Sequence, residues 1–141
     1  MWKTLSEDEA RELISRSNFA HLGCVLEKDT PYVVPVNYVL RDGAVYIHSL
    51  EGTKLDALRK KRKACVQVED IRSPFNWKSA IAFGTFEELP DGGERSEVLQ
   101  DLLELFRTMT PVEGLEAERG SAEVPVVFRI KVDRFTGVSE S

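Results

Sequence analysis

Runs of strand-forming residues joined by links too short for a crossover constrain this chain more than any other feature. Phe19 to Leu26 reads as a strand, Glu27-Lys28-Asp29 as a turn, and Thr30 to Leu40 as a second strand. Arg41-Asp42-Gly43 carries the Asp-Gly signal of a tight hairpin and leads into a third strand, Ala44 to Ser49. Parallel neighbours would need a connection of about a dozen residues or more after each strand, which these links cannot supply. An antiparallel meander follows. Within the second strand Tyr32, Val34, Val36, Tyr38 and Leu40 share one face.

Further along, Ala64 to Asp70 alternates Val66 and Val68 with Gln67 and Glu69, and Ile71 to Asn76, with Pro74, reads as a loop. Trp77 to Leu89 is a long strand bent at Gly84. Val124 to Asp133 alternates, with Val124, Val126, Phe128, Ile130 and Val132 expected inward and Val127, Arg129, Lys131 and Asp133 outward. Three helices complete the chain. The first covers 6–17, where Ser6 and Glu9 fit a capping box. The second covers 53–62, with Thr53 expected as N-cap and Asp56 closing a second box. The third covers 94–109, on a stripe of Leu99, Leu102, Leu103 and Phe106. Residues 110–123 are polar, lack periodicity and read as a long loop. The expectation is one domain over 1–141, mainly β with peripheral helices: a six-stranded antiparallel barrel, whose closure removes exposed edges.

With 141 residues and a net charge of -5, the chain is acidic overall, yet Lys54 to Lys63 holds six basic residues against one acid, Asp56. Nucleic-acid binding needs a broad basic surface and is not expected. A compact anion such as a phosphate needs only one basic spot. No apolar run approaches the roughly 18–20 residues of a membrane helix, and Met1-Trp2-Lys3 runs into the acidic Ser6 to Glu9 rather than a signal segment. A soluble cytoplasmic protein without membrane partners is expected. Cys24 and Cys65 lie in separate apolar runs and read as buried thiols, and His21 and His48, the only histidines, have no spacing suited to a metal.

Three segments could carry chemistry. At His48 to Lys54 a strand ends and a helix begins, offering unpaired N–H groups, the Ser49 hydroxyl and the Lys54 ammonium to a phosphate. The Gly-x-x-x-x-Gly-Lys spacing of a P-loop is absent. Arg59 to Lys63 reads instead as solvated charge at the helix end. Pro35, inside Val33-Val34-Pro35-Val36-Asn37, marks either an edge strand or a place where the backbone leaves regular pairing and borders a flat ring. Trp77 could wall a planar ligand or serve as core, and the Ser79 hydroxyl could donate to a ligand oxygen. His21, between Ala20 and Leu22, reads as a structural histidine. With no carboxylate pair or nucleophile elbow, catalytic residues are not identified, and an enzyme built on this chain needs a cofactor for its chemistry.

The ordered set Ala20-His21-Leu22-Gly23, Pro31 to Tyr38, Val45 to Ser49, Gly52 to Leu58 and Ala64 to Val68 resembles the pyridoxamine 5′-phosphate oxidase-like FMN-binding split-barrel proteins, and within them the nitroimidazole-resistance subgroup. The resemblance implies a six-stranded split barrel that forms a homodimer, with FMN bound in clefts between the subunits. It implies that Val34, Pro35, Val36 and Asn37 border the isoalloxazine ring, that His48 and Ser49 lie along the ribityl-phosphate side, and that Lys54 pairs with the phosphate. Trp77 and Ser79 match a strand that approaches the flavin. The implied activity is an oxidoreductase passing electrons to a small organic acceptor, with a nitroaromatic as one candidate. A flavin-binding module without turnover and a haem-binding relative, through His48 or His21, are the alternatives. The C-terminal substrate-binding segment of true pyridoxamine 5′-phosphate oxidases has no counterpart here, so that activity is not expected.

Overall fold

The computed structural model describes residues 1–109 and 125–141; the expected loop over 110–123, the start of the last strand at Val124 and the side chain of Phe106 lie outside them. In chain order the elements are β1 (Trp2–Thr4), α1 (Glu7–Ser15), β2 (Phe19–Val25), β3 (Pro31–Asn37), β4 (Val39–Arg41), β5 (Ala44–Ser49), α2 (Thr53–Lys60), β6 (Lys63–Ser73), β7 (Asn76–Glu88), α3 (Gly93–Met109) and β8 (Val126–Glu140). The strands form one antiparallel sheet in the order β3-β2-β6-β7-β8-β5-β4, with β1 added on β8. Its two edge strands, β3 and β4, are consecutive in the chain and separated only by Tyr38. A sheet whose opposite edges are one residue apart must curl until they meet, which makes it a split barrel.

The six expected strands lie within an eight-stranded sheet: the second is split into β3 and β4, β1 is an added short strand, and the last runs on to Glu140 instead of ending at Asp133. The strand expected over 30–40 breaks at Tyr38, whose N–H turns away to the Asn18 carbonyl at 3.1 Å. Its fully buried phenol donates to the Ile14 carbonyl at 2.6 Å, which pins the meeting point of the two edges to the end of α1. Ile71 to Asn76 is not an open loop: β6 continues to Ser73, β7 starts at Asn76, and Pro74 and Phe75 make a tight link between them. The Asp42-Gly43 hairpin forms as expected, with φ of 48° and 76°. The bend at Gly84 is also present, as a register shift between Phe83 and Gly84 against β8. A Cβ on Gly84 would lie 2.1 Å from the Lys131 carbonyl oxygen, so only glycine allows this approach.

The capping box at α1 forms, Ser6 and Glu9 each accepting the other's backbone N–H at 3.1 Å. The one expected at α2 does not. Gly52, not Thr53, is the N-cap, and no side chain caps the helix. The concave side of the sheet holds the main core, to which α1 contributes Ala10, Leu13 and Ile14 and α2 contributes Leu55, Ala57 and Leu58. A second, smaller core lies on the convex side, where Val98 and Leu102 of α3 cover Ala44, Tyr46 and Val127. Val127 was expected outward; its side chain does point away from the barrel interior, but α3 covers it and leaves it fully buried.

Candidate functional site

β4 and β5 pair from Arg41 with Ala44 to Val39 with Tyr46, and the ladder then stops. Continuing that register would set His48 against Asn37 and Ser49 against Val36. Instead β3 leaves to pair with β2 while β5 stays on β8, so these four residues stand on the two lips of the split. The β3–β2 ladder is unbroken from Pro31 to Asn37, so Pro35 does not release the backbone from pairing. It occupies an edge strand, where a residue without an N–H is tolerated. Strand alternation turns Pro35, Asn37 and His48 to the convex face and Val34, Val36 and Ser49 inward. Val36 is buried in the main core with Val34 packed against it. Asn37 donates to the Asn18 carbonyl at 3.3 Å, and the Ser49 hydroxyl donates to the Leu50 carbonyl at 2.8 Å.

Beyond the β5 lip, α2 begins with its first turn uncapped by any side chain and with Lys54 half-buried. Among the described residues Lys54 has no carboxylate partner. Its charge is felt nearby: burial first, then Lys54, holds the His48 imidazole below its ordinary pKa. Burial likewise pushes the Cys24 thiol up, and Lys54 partly offsets it. An uncapped helix start beside an unneutralised cation suits a phosphate, which would satisfy both.

The rest of the basic run behaves differently, and the expectation of plain solvated charge is refined. Arg59 holds Glu51 at 2.6 Å and Glu88 at 2.9 Å, Lys60 pairs with Glu27, and Lys61 pairs with Asp29. Arg62 donates to the Phe86 carbonyl, and Lys63 lies 4.0 Å from Asp133. Of the six cations, Lys54 and Arg62 have no carboxylate among the described residues, and Arg62 is occupied by the Phe86 carbonyl.

Ser79 and Trp77 share the convex face with Pro35, separated by β2 and β6. Trp77 meets Trp2 edge-on at 5.2 Å between ring centroids. A polar chain that sequence reasoning missed joins the strands: Gln67 Nε2 donates to Ser79 Oγ at 3.0 Å, and Gln67 Oε1 lies 3.3 Å from His21 Nδ1. Glu69 Oε2 lies 3.7 Å from the same nitrogen, and His21 pairs directly across from Pro35. The signal for it was present in the alternation of Gln67 and Glu69 with Val66 and Val68, which turns two polar side chains of a central strand to one face. Exposed apolar residues flank this face or project at its ends: Trp2, Phe19, Val33, Ile71 and Phe75 are all more than half exposed.

Both cysteines are free, Cys24 buried and Cys65 half-buried. Among the described residues no helix is long and apolar enough to cross a membrane, and no group of three metal-ligating side chains converges.

The family model described as pyridoxamine 5′-phosphate oxidase matches residues 6–139. A FAD-binding protein of Mesorhizobium loti has a similar solved structure, with 27% identity and a TM-score of 0.82, covering 100% of this chain and 98% of that one. A proposed 5-nitroimidazole antibiotic resistance protein of Bacteroides thetaiotaomicron shares the fold at 19% identity and a TM-score of 0.72, covering 99% and 89%. So does a FAD and haem binding protein of Mycobacterium smegmatis, at 21% identity and a TM-score of 0.69, covering 99% and 73%. With a match over nearly its whole length and a split barrel to go with it, this chain belongs to the pyridoxamine 5′-phosphate oxidase family.

Proposed function

We propose that this chain binds a flavin, FMN in the first instance, with the phosphate at the start of α2 and the ring along the split. The observation that carries the reading is Lys54, a half-buried cation without a carboxylate partner among the described residues, beside an uncapped helix start. Lys54 pairs with the phosphate, while His48, held neutral by burial, adds no second charge to the site. Ser49 becomes a ligand donor by rotating its hydroxyl off the Leu50 carbonyl. Val34 and Val36 fix the β3 backbone from the core side, and Pro35 and Asn37 present its outward face to the ring. Trp77 and Ser79 approach from β7.

The convex face carries both polar candidates and exposed apolar side chains, a combination that supports a homodimer with the flavin enclosed between subunits. A cytoplasmic location accords with this reading. When bound, the flavin supplies hydride and electron transfer, and the protein's part is to hold the ring, neutralise the phosphate and keep out water. The proposed activity is an oxidoreductase that passes electrons from reduced flavin to a small organic acceptor, nitroaromatics among them. The structural likeness to FAD-binding proteins makes FAD the competing cofactor, since its diphosphate could use the same cation.

An absorption spectrum of the purified protein, followed by titration with FMN and FAD, tests the reading. A two-banded flavin spectrum with tighter binding of FMN is expected; a protein that binds neither overturns it. Reduction of the bound flavin by NADH or NADPH and reoxidation by a nitro compound separates an enzyme from a module that only binds flavin. A haem reading has one observation in its favour, a neutral imidazole at His48 in a fold shared with a haem-binding protein, and a Soret band after haem addition would identify it.

A further inference from the structure

The hydrogen bonds across β2, β6 and β7 have a direction, and it reaches Ser79. His21 Nδ1 faces two oxygens, Gln67 Oε1 at 3.3 Å and Glu69 Oε2 at 3.7 Å. A carboxylate only accepts, so a proton on Nδ1 satisfies both neighbours, whereas a lone pair there would face the negative charge of Glu69. With Nδ1 donating, the Gln67 amide must turn its oxygen to His21 and its NH2 to Ser79, which is the arrangement present. Ser79 Oγ then accepts from Gln67 and keeps its own proton to donate elsewhere. Protonation of His21 leaves the direction unchanged, because Nδ1 carries a proton in both states.

We propose that His21, Gln67 and Glu69 are positioning residues that fix Ser79 as a hydrogen-bond donor on the convex face, so that the atom it meets is an acceptor oxygen of the ligand and not an N–H group. This rests on the reading of that face as part of the flavin site. FMN offers acceptor oxygens of three kinds, the ring carbonyls, the ribityl hydroxyls and the phosphate, and the same donor suits any of them. Among the described residues Gln67 is the partner that both accepts from His21 and donates to Ser79. Gln67→Glu, nearly identical in shape, would accept from both, turn the Ser79 hydroxyl back into the protein and offer the ligand only lone pairs.

Nitrogen-15 NMR of the ligand-free wild-type chain reads the tautomer of His21 directly, without reference to flavin. The Nδ1–H form is expected for the neutral imidazole; an Nε2–H form overturns the proposal. FMN and riboflavin titrations of Gln67→Glu and Ser79→Ala supply the second readout, with thermal melts confirming folded protein. Each variant is expected to bind FMN about tenfold more weakly or worse, with Gln67→Glu/Ser79→Ala no weaker than the weaker of the two, since both remove the same donor. Equal loss for riboflavin places the Ser79 contact on the ring or the ribityl chain, and loss confined to FMN places it on the phosphate; both support the proposal. Wild-type affinity in both variants, with Lys54→Ala still weakened, overturns the proposal and leaves the flavin reading intact. A wild-type chain that binds neither compound overturns both.

Discussion

The two ends of α2 are built from the same kind of residue and are electrostatically opposite. At its C-terminal end Arg59, Lys60 and Lys61 each hold a carboxylate, from Glu51, Glu88, Glu27 and Asp29. At its N-terminal end Lys54 holds none among the described residues, though it is half-buried and the helix start beside it is uncapped. Charge density in a sequence therefore says little about where an anion binds. Cations that hold carboxylates, as Arg59, Lys60 and Lys61 do, read as scaffold, and Lys54, without one among the described residues, is the candidate site.

The largest effect that would sharpen this contrast is a reversal of charge at the open end. Lys54→Glu should abolish measurable FMN binding while leaving the melting temperature within about 2 °C of wild type, because Lys54 holds no carboxylate among the described residues. Retained binding would place the phosphate elsewhere. Next comes Arg59→Ala, which frees Glu51 and Glu88 together. It should lower the melting temperature by about 1–3 °C and leave FMN affinity unchanged, so a selective loss of affinity would erase the distinction between the two ends.

A smaller effect concerns pH. Burial and then Lys54 lower the His48 pKa in the folded chain, so the folded state resists its protonation. The stability this contributes is present above the unfolded value near 6.5 and is lost as pH falls through the lower folded value. Urea melts at pH 7.5 and 5.5 should show a steeper acid-side loss for wild type than for His48→Gln, and parallel profiles would contradict it. The smallest effect is expected for Lys60→Ala/Lys61→Ala. Both pairs are exposed surface contacts, and the melting temperature and FMN affinity should match wild type within error. A marked loss of affinity there would move the anion site to the wrong end of the helix.

Features set by adjacent residues were legible in the sequence. Asp42-Gly43 gives its hairpin because both residues accept positive φ, and Ser6 with Glu9 gives a cap because both partners lie within one turn. Features set by distant contacts were not. The break at Tyr38 depends on Asn18 and Ile14, the burial of Val127 depends on α3, and the neutralisation of Lys60 and Lys61 depends on Glu27 and Asp29. The candidate site shows the same division. Lys54 stood apart from Arg59 to Lys63 because a helix start is a local property. The contacts of His21 did not show, since its partners on β6 are brought to it only by the β2–β6 pairing.

The central claim, that Lys54 is the phosphate anchor, is tested most directly by comparing FMN with riboflavin, which lacks the phosphate, on wild type and Lys54→Ala. Loss of one charge-assisted contact is worth about 1.5–3 kcal/mol, or about 10- to 100-fold in affinity. The account predicts that wild type prefers FMN by at least that factor and that Lys54→Ala loses the preference while binding riboflavin as before. Equal weakening of both compounds, or an undiminished preference for FMN in the variant, would contradict it.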